Sequence, residues 1–206
     1  MKKETFNKKV LPMFVLTLFI ATIGVGVGFF IPPILYIPII IAEIAILFAT
    51  FILKKKSGFP KWLLFIFVFL TGITTTPIIV WAAWEGGTIV IFQALGITTI
   101  VFGGLAGYVY FTNKDFRSIG TFLMFALIGF IIASLVNLFL KQPVINLIIS
   151  VGVLIVFLGF VLYDMSTILR NYPDEYVTDA VLALYLDFLN IFIRILELIV
   201  ISKRED

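Results

Sequence analysis

The sequence predicts an all-α integral membrane protein: one domain over residues 1–206, built from seven transmembrane helices. Three observations predict it. The chain is 62% hydrophobic and 13% charged, whereas a soluble domain holds roughly 45–50% apolar and about 25% charged residues. A soluble core of this size cannot bury that excess. The apolar residues fall in runs of about 20, the length an α-helix needs to cross a hydrocarbon core some 30 Å thick. Those runs are continuously apolar, while the strands of an outer-membrane barrel alternate over about ten residues.

The same composition removes whole classes of function. High hydrophobicity with a net charge of +3 excludes disorder and gives too small a basic excess for nucleic-acid binding. There is no Cys, hence no disulfide, thiolate metal site or Cys nucleophile. There is no His, hence no imidazole ligand, Ser-His triad or histidine switch. Acid–base chemistry falls to carboxylates.

The spans follow in order. The first, residues 10–31, comes after Lys2, Lys3, Lys8 and Lys9. It is too long for a signal-peptide core and ends in Pro32-Pro33 rather than a small-residue cleavage site, so it is expected to be retained. The second, 34–53, ends at the basic loop Lys54, Lys55, Lys56 and Lys61. The third, 62–83, ends at Glu85-Gly86-Gly87, and the fourth, 88–112, at the polar loop 113–118. The fifth, 119–140, stops at Lys141-Gln142-Pro143. The sixth, 144–169, and the seventh, 180–201, flank the polar segment 171–179.

Short-loop lysines and arginines set orientation. Eleven lie on one side (the eight lysines already named up to Lys61, with Lys114, Arg117 and Arg170), against Lys141, Lys203 and Arg204 on the other. This predicts a multi-pass protein of the plasma membrane with a cytoplasmic N-terminus and an extracellular C-terminus.

Within the spans, Gly24, Gly26 and Gly28 lack the strand–turn–helix context of a nucleotide fingerprint. The four-residue spacings Gly24/Gly28 and Gly103/Gly107 instead predict close helix packing. The stretch Thr71-Gly72-Ile73-Thr74-Thr75-Thr76-Pro77 is expected to break the third helix. Either the threonine hydroxyls satisfy carbonyls freed by Pro77, or they line a hydrated path.

Five ionisable residues lie inside the spans: Glu43, Asp164, Asp187, Arg194 and Glu197. Each costs about 2.5–3.5 kcal/mol at a helix centre, on the order of 10 kcal/mol for the set. Such groups persist when they pair, face water or do work. Glu43 lies about ten residues, or roughly 15 Å, from the cytoplasmic end of its helix, at the midplane. Asp164 and Asp187 both lie roughly 8–11 Å in, on consecutive antiparallel helices. They read as a carboxylate dyad. Arg194, about two turns further out, is placed to approach Glu43. Glu197 is placed to pair with Arg194 on the same face or to sit near the outer interface.

Two adjacent carboxyls in a medium of low dielectric cannot both stay ionised, so the dyad is expected to share a proton. Fully ionised, it offers at most four of the six to eight oxygens that Ca²⁺ takes. Asp164 and Asp187 are therefore expected to bind calcium weakly and transiently, as conduction requires.

Val161-Leu162-Tyr163-Asp164 in the sixth span and Ala183-Leu184-Tyr185-Leu186-Asp187-Phe188-Leu189-Asn190-Ile191-Phe192 in the seventh resemble the Bax inhibitor (transmembrane Bax inhibitor motif) family. Thr71-Gly72-Ile73-Thr74 with Pro77, and the mid-helix Glu43, resemble it too, most closely in its bacterial, YetJ-like branch. The resemblance covers essentially the whole chain. It implies a seven-helix fold with the last helix central and a pH-sensitive calcium leak. It also implies that Asp164 and Asp187 form the pH-sensing pair and that Glu43 belongs to the ion path. The family's arginine ten residues after the seventh-helix aspartate is here Glu197, and Arg194, one turn earlier, is the arginine available for that role.

Two carboxylates on adjacent helices also suggest an intramembrane aspartyl protease. That chemistry needs Gly-x-Gly-Asp and Pro-Ala-Leu, and the chain has neither. No enzyme is expected. A proton-coupled secondary transporter would predict inverted repeats, and a regulatory membrane protein would use the charges as structural ion pairs. The principal reading is a calcium leak with no tightly bound cofactor. Calcium is its permeant ion, and protons and membrane lipid are its other partners. A monomer is compatible with this reading.

Overall fold

The computed structural model describes residues 1–53 and 58–205, with side chains described except for 49–53 and 204–205. Lys54, Lys55 and Lys56, and the side chain of Arg204, lie outside the described residues. Among the described residues, seven helices run in the order α1 (Lys3–Gly28), α2 (Tyr36–Leu53), α3 (Lys61–Gly86), α4 (Ile89–Thr112), α5 (Gly120–Leu140), α6 (Pro143–Asn171) and α7 (Val177–Glu205). Five of them (α1, α3, α4, α5 and α6) are both long and apolar enough to cross a membrane. In α2 the apolar helix is shorter, Pro33–Phe48. In α7, Asp187, Arg194 and Glu197 dilute the apolar run. The protein is an all-α, multi-pass membrane protein.

The ends follow local chemistry. In α1, Pro12 has no N–H to give the Lys8 carbonyl, and the preceding turn Phe6–Val10 is π-helical, with the Leu11 N–H reaching back to the Phe6 carbonyl. Pro32 is extended, at φ −60° and ψ 142°, which separates α1 from α2. The Tyr36 hydroxyl donates to the Gly28 carbonyl across that corner at 3.0 Å. Asn113 and Lys141 end α4 and α5 in the left-handed conformation, at φ 52° and 51°.

The chain forms two compact units, one of Met1–Val80 with Leu169–Tyr185, the other of Trp81–Ile168 with Leu186–Asp206. In the first, Gly24 faces the Phe69 carbonyl and Gly72, and Gly28 faces Thr76, leaving no room for a Cβ at either glycine. The packing expected of Gly24/Gly28 is present, between α1 and α3. Pro77 does not break α3, which runs unbroken from Lys61 to Gly86. The threonine hydroxyls serve carbonyls other than that of Ile73, the one that Pro77 leaves without its N–H. Thr75 donates to the Thr71 carbonyl at 2.6 Å, and Thr76 to Gly72 in its own helix and to Val25 of α1.

In the second unit, Leu123, Val156 and Phe160 form a core with Phe130, Phe157 and Tyr163 packed on it. Gly120 admits the Tyr163 ring and Gly152 the Phe130 ring. The packing expected at Gly103/Gly107 is absent. A Cβ at Gly103 would meet nothing within 4 Å, and one at Gly107 only Phe111 of its own helix. Here the small residues lie on an outward face of α4. The other outward faces carry large apolar side chains such as Phe122, Phe125 and Phe139, as hydrocarbon requires.

Candidate functional site

The dyad belongs wholly to the second unit. Its α6 half is fixed from both sides of Asp164. Tyr163 lies in the notch left by Gly120 and packs edge-on against Phe160. Ser166 accepts the Phe116 N–H at 3.1 Å and donates to the Lys114 carbonyl at 3.3 Å, clamping the loop before α5 to this stretch of α6. On α7, Phe188 packs edge-on against Phe102, with ring centroids 5.4 Å apart, which orients the residue before it.

That residue is Asp187, only 3% exposed. Its carboxyl lies within hydrogen-bonding reach of the carboxyl of Asp164. Among the described residues the Asp187 Oδ2 has no hydrogen-bond partner, an arrangement that costs on the order of 1–3 kcal/mol.

Further along the same two helices, Arg194 donates to Glu197 Oε2 at 2.8 Å, and Asn146 of α6 donates to Glu197 Oε1 at 3.0 Å. Glu197 thus takes the same-face pairing with Arg194. Its remaining oxygen is satisfied by Asn146, which gave no sequence signal beyond being a lone amide in the first turn of an apolar helix.

In the first unit, half-buried Glu43 accepts the Thr74 hydroxyl at 2.8 Å. The Thr71 and Tyr185 hydroxyls are hydrogen-bonded to each other. All four threonines thus reach backbone carbonyls of their own helix, and Thr74 and Thr71 in addition reach Glu43 and Tyr185. Tyr185 stands two residues before Asp187 and is 1% exposed. Asp179, buried at the start of α7, accepts the Phe59 N–H at 2.9 Å beside Gly58, whose φ is +73°. Sequence reasoning took Asp179 for a loop edge. The Gly58-Phe59-Pro60 turn is the signal that something must receive that N–H.

Among the described residues no three acidic side chains gather into a metal-holding group. The dyad therefore offers a cation two carboxyls, with no third acidic side chain beside them among the described residues.

Comparison with known proteins gives this arrangement its kinship. The family model described as "Inhibitor of apoptosis-promoting Bax1" matches residues 3–205. An uncharacterized protein of Helicobacter pylori is 40% identical over 166 residues, covering 81% of this chain and 72% of its own. An uncharacterized membrane protein of Vibrio cholerae is 37% identical over 189 residues, covering 90% and 82%. A Golgi anti-apoptotic protein of Vaccinia virus is 28% identical over 174 residues, covering 84% and 71%. With a whole-chain match to the family model, and with these relatives, the chain belongs to the Bax inhibitor family.

Proposed function

We propose that this protein is a pH-sensitive calcium leak of the plasma membrane, with a cytoplasmic N-terminus, and that the Asp164–Asp187 pair is its gate. The observation that carries the reading is that the carboxyls of half-buried Asp164 and buried Asp187, on consecutive helices, lie within hydrogen-bonding reach of each other. While one proton bridges them, the pair has little charge to offer a cation and the two helices are tied together. Loss of that proton leaves two carboxylates that repel one another and present hard oxygens to Ca²⁺. Two carboxyls bind such an ion weakly, which suits passage rather than storage. Glu43 and the hydroxyls of Thr74, Thr71 and Tyr185 are proposed as part of the ion path. The Glu197–Arg194 pair, braced by Asn146, is proposed to act in gating toward the other end. No catalysis and no resident cofactor enter this scheme; protons and Ca²⁺ are its ligands.

The test is Ca²⁺ entry into dye-loaded proteoliposomes of the purified protein, with and without a proton gradient. A leak carries Ca²⁺ down its own gradient at symmetric pH, at a rate set by that pH. Uphill Ca²⁺ accumulation that appears only with an opposing proton gradient would make the protein a transporter and overturn the proposal.

A further inference from the structure

A second site lies far from the dyad in sequence, in the first unit, where the beginnings of α1, α3 and α7 come together. A groove of about 420 Å³ is lined there by Lys8, Lys9 and Lys61 at one end and by Pro12, Met13, Leu16 and Val177 below. Each lining residue has a structural reason to be there. Lys8 and Lys9 ride on the π-helical turn that Pro12 imposes on α1. Lys61 is the first residue of α3 and Val177 the first of α7.

The groove is cationic after local pairing is counted. Lys8 is tied to Glu4 at 2.7 Å, with both side chains mostly exposed. Nearby acidic groups are engaged elsewhere: Asp174 accepts the Lys2 backbone N–H, and Asp179 accepts that of Phe59. Among the described residues Lys9 has no carboxylate partner, and Lys61 has only the face of Phe65, 5.8 Å from its ammonium. No acidic residue lines the groove. Below the ammonium groups the wall is apolar, and it continues along α1 through the exposed side chains of Leu16, Phe19 and Ile23. From Lys8 to Ile23 that stripe runs about 22 Å at 1.5 Å per residue.

A cationic mouth above a long apolar stripe, at the end of membrane-crossing helices, matches one ligand chemistry. We propose that this groove binds an anionic glycerophospholipid of the leaflet on the N-terminal side. Lys9 and Lys61 hold its phosphodiester, and its acyl chains lie along Leu16, Phe19 and Ile23. A free phosphate uses the ammonium groups and leaves the apolar wall uncovered. A zwitterionic lipid covers the wall and brings its own cation to the lysines. The site does not depend on calcium conduction and stands or falls apart from it.

The experiment is native mass spectrometry of the full chain in a non-ionic detergent, with phosphatidylglycerol or with phosphatidylcholine of the same acyl chains. The wild type retains phosphatidylglycerol, saturating at a small fixed number of molecules, and retains phosphatidylcholine weakly. The pair Lys9→Gln and Lys61→Gln weakens retention roughly 30-fold, as expected for two interfacial cations. The pair Lys3→Gln and Lys114→Gln, which removes the same charge elsewhere, leaves it within about twofold. Equal retention of the two lipids by the wild type would overturn the proposal without recourse to any variant. So would equal loss in both charge pairs, or complete displacement of lipid by inorganic phosphate, which would make this a plain anion site.

Discussion

Asp174 shows how single residues report on the fold. It lies in the segment between α6 and α7 and accepts the Lys2 backbone N–H at 2.7 Å, 172 residues away in sequence. That hydrogen bond holds its carboxyl below the usual carboxylate range. Because the folded value is depressed, the contribution is complete above the unfolded value and is lost as pH falls through the folded one. An NMR titration of Asp174 should give a midpoint below the ordinary 3.8, and Pro substituted for Lys2, which removes the N–H, should raise it toward that value. An unchanged midpoint in Lys2→Pro would mean the contact is not formed in solution. The identity of the intramembrane charges was legible at this scale, because each is expensive in hydrocarbon and stands out against its run. A partner on the same helix was legible from sequence spacing, as for Arg194 and Glu197. Asn146, Ser166 and Asp179 act on residues 51, 50 and 120 positions away, and no local pattern announces such pairings.

Whole helices were the most legible elements, since continuous apolarity bounded by charge and Pro or Gly has few other readings. Their breaks were less so. Pro77 reads as a helix breaker, yet α3 passes through it, as prolines in membrane-spanning helices are often tolerated. Small-residue spacing proved equally ambiguous, since Gly24/Gly28 and Gly103/Gly107 share one pattern and only the first pair has a helix against it. Stability measurements should separate them. Gly72→Val, where a side chain would run into Ala21 and Gly24, should cost about 1–3 kcal/mol or prevent folding. Gly103→Val should be nearly neutral in the thermal unfolding of the detergent-solubilised protein. Equal losses at both positions would indicate that the α4 stripe is also covered.

For the molecule as a whole, composition alone excluded a soluble fold and most chemistries. The family resemblance implied what periodicity never states, a joint role for two aspartates on consecutive helices, and that role is proposed here. Depth arithmetic placed Asp164 and Asp187 at the same level, and their carboxyls lie within hydrogen-bonding reach of each other. Orientation rests on basic-residue asymmetry and is tested separately. Ser202→Cys in the otherwise cysteine-free chain should react with an impermeant thiol reagent in intact cells, and reaction only after permeabilisation would invert the topology.

The central claim is that one proton belongs to the pair and sets calcium permeability. It is tested most directly by the pH profile of Ca²⁺ flux in proteoliposomes, between about pH 5 and 8, for Asp164→Asn, Asp187→Asn and the double variant. Glu175→Gln, at a surface acid outside the pair, serves as the control. The account predicts that each single substitution flattens or displaces the profile. The double variant should add little to either, because neither carboxyl titrates alone. If both single variants keep the wild-type profile, or if the two effects simply add, the pair is a structural contact and the gate lies elsewhere.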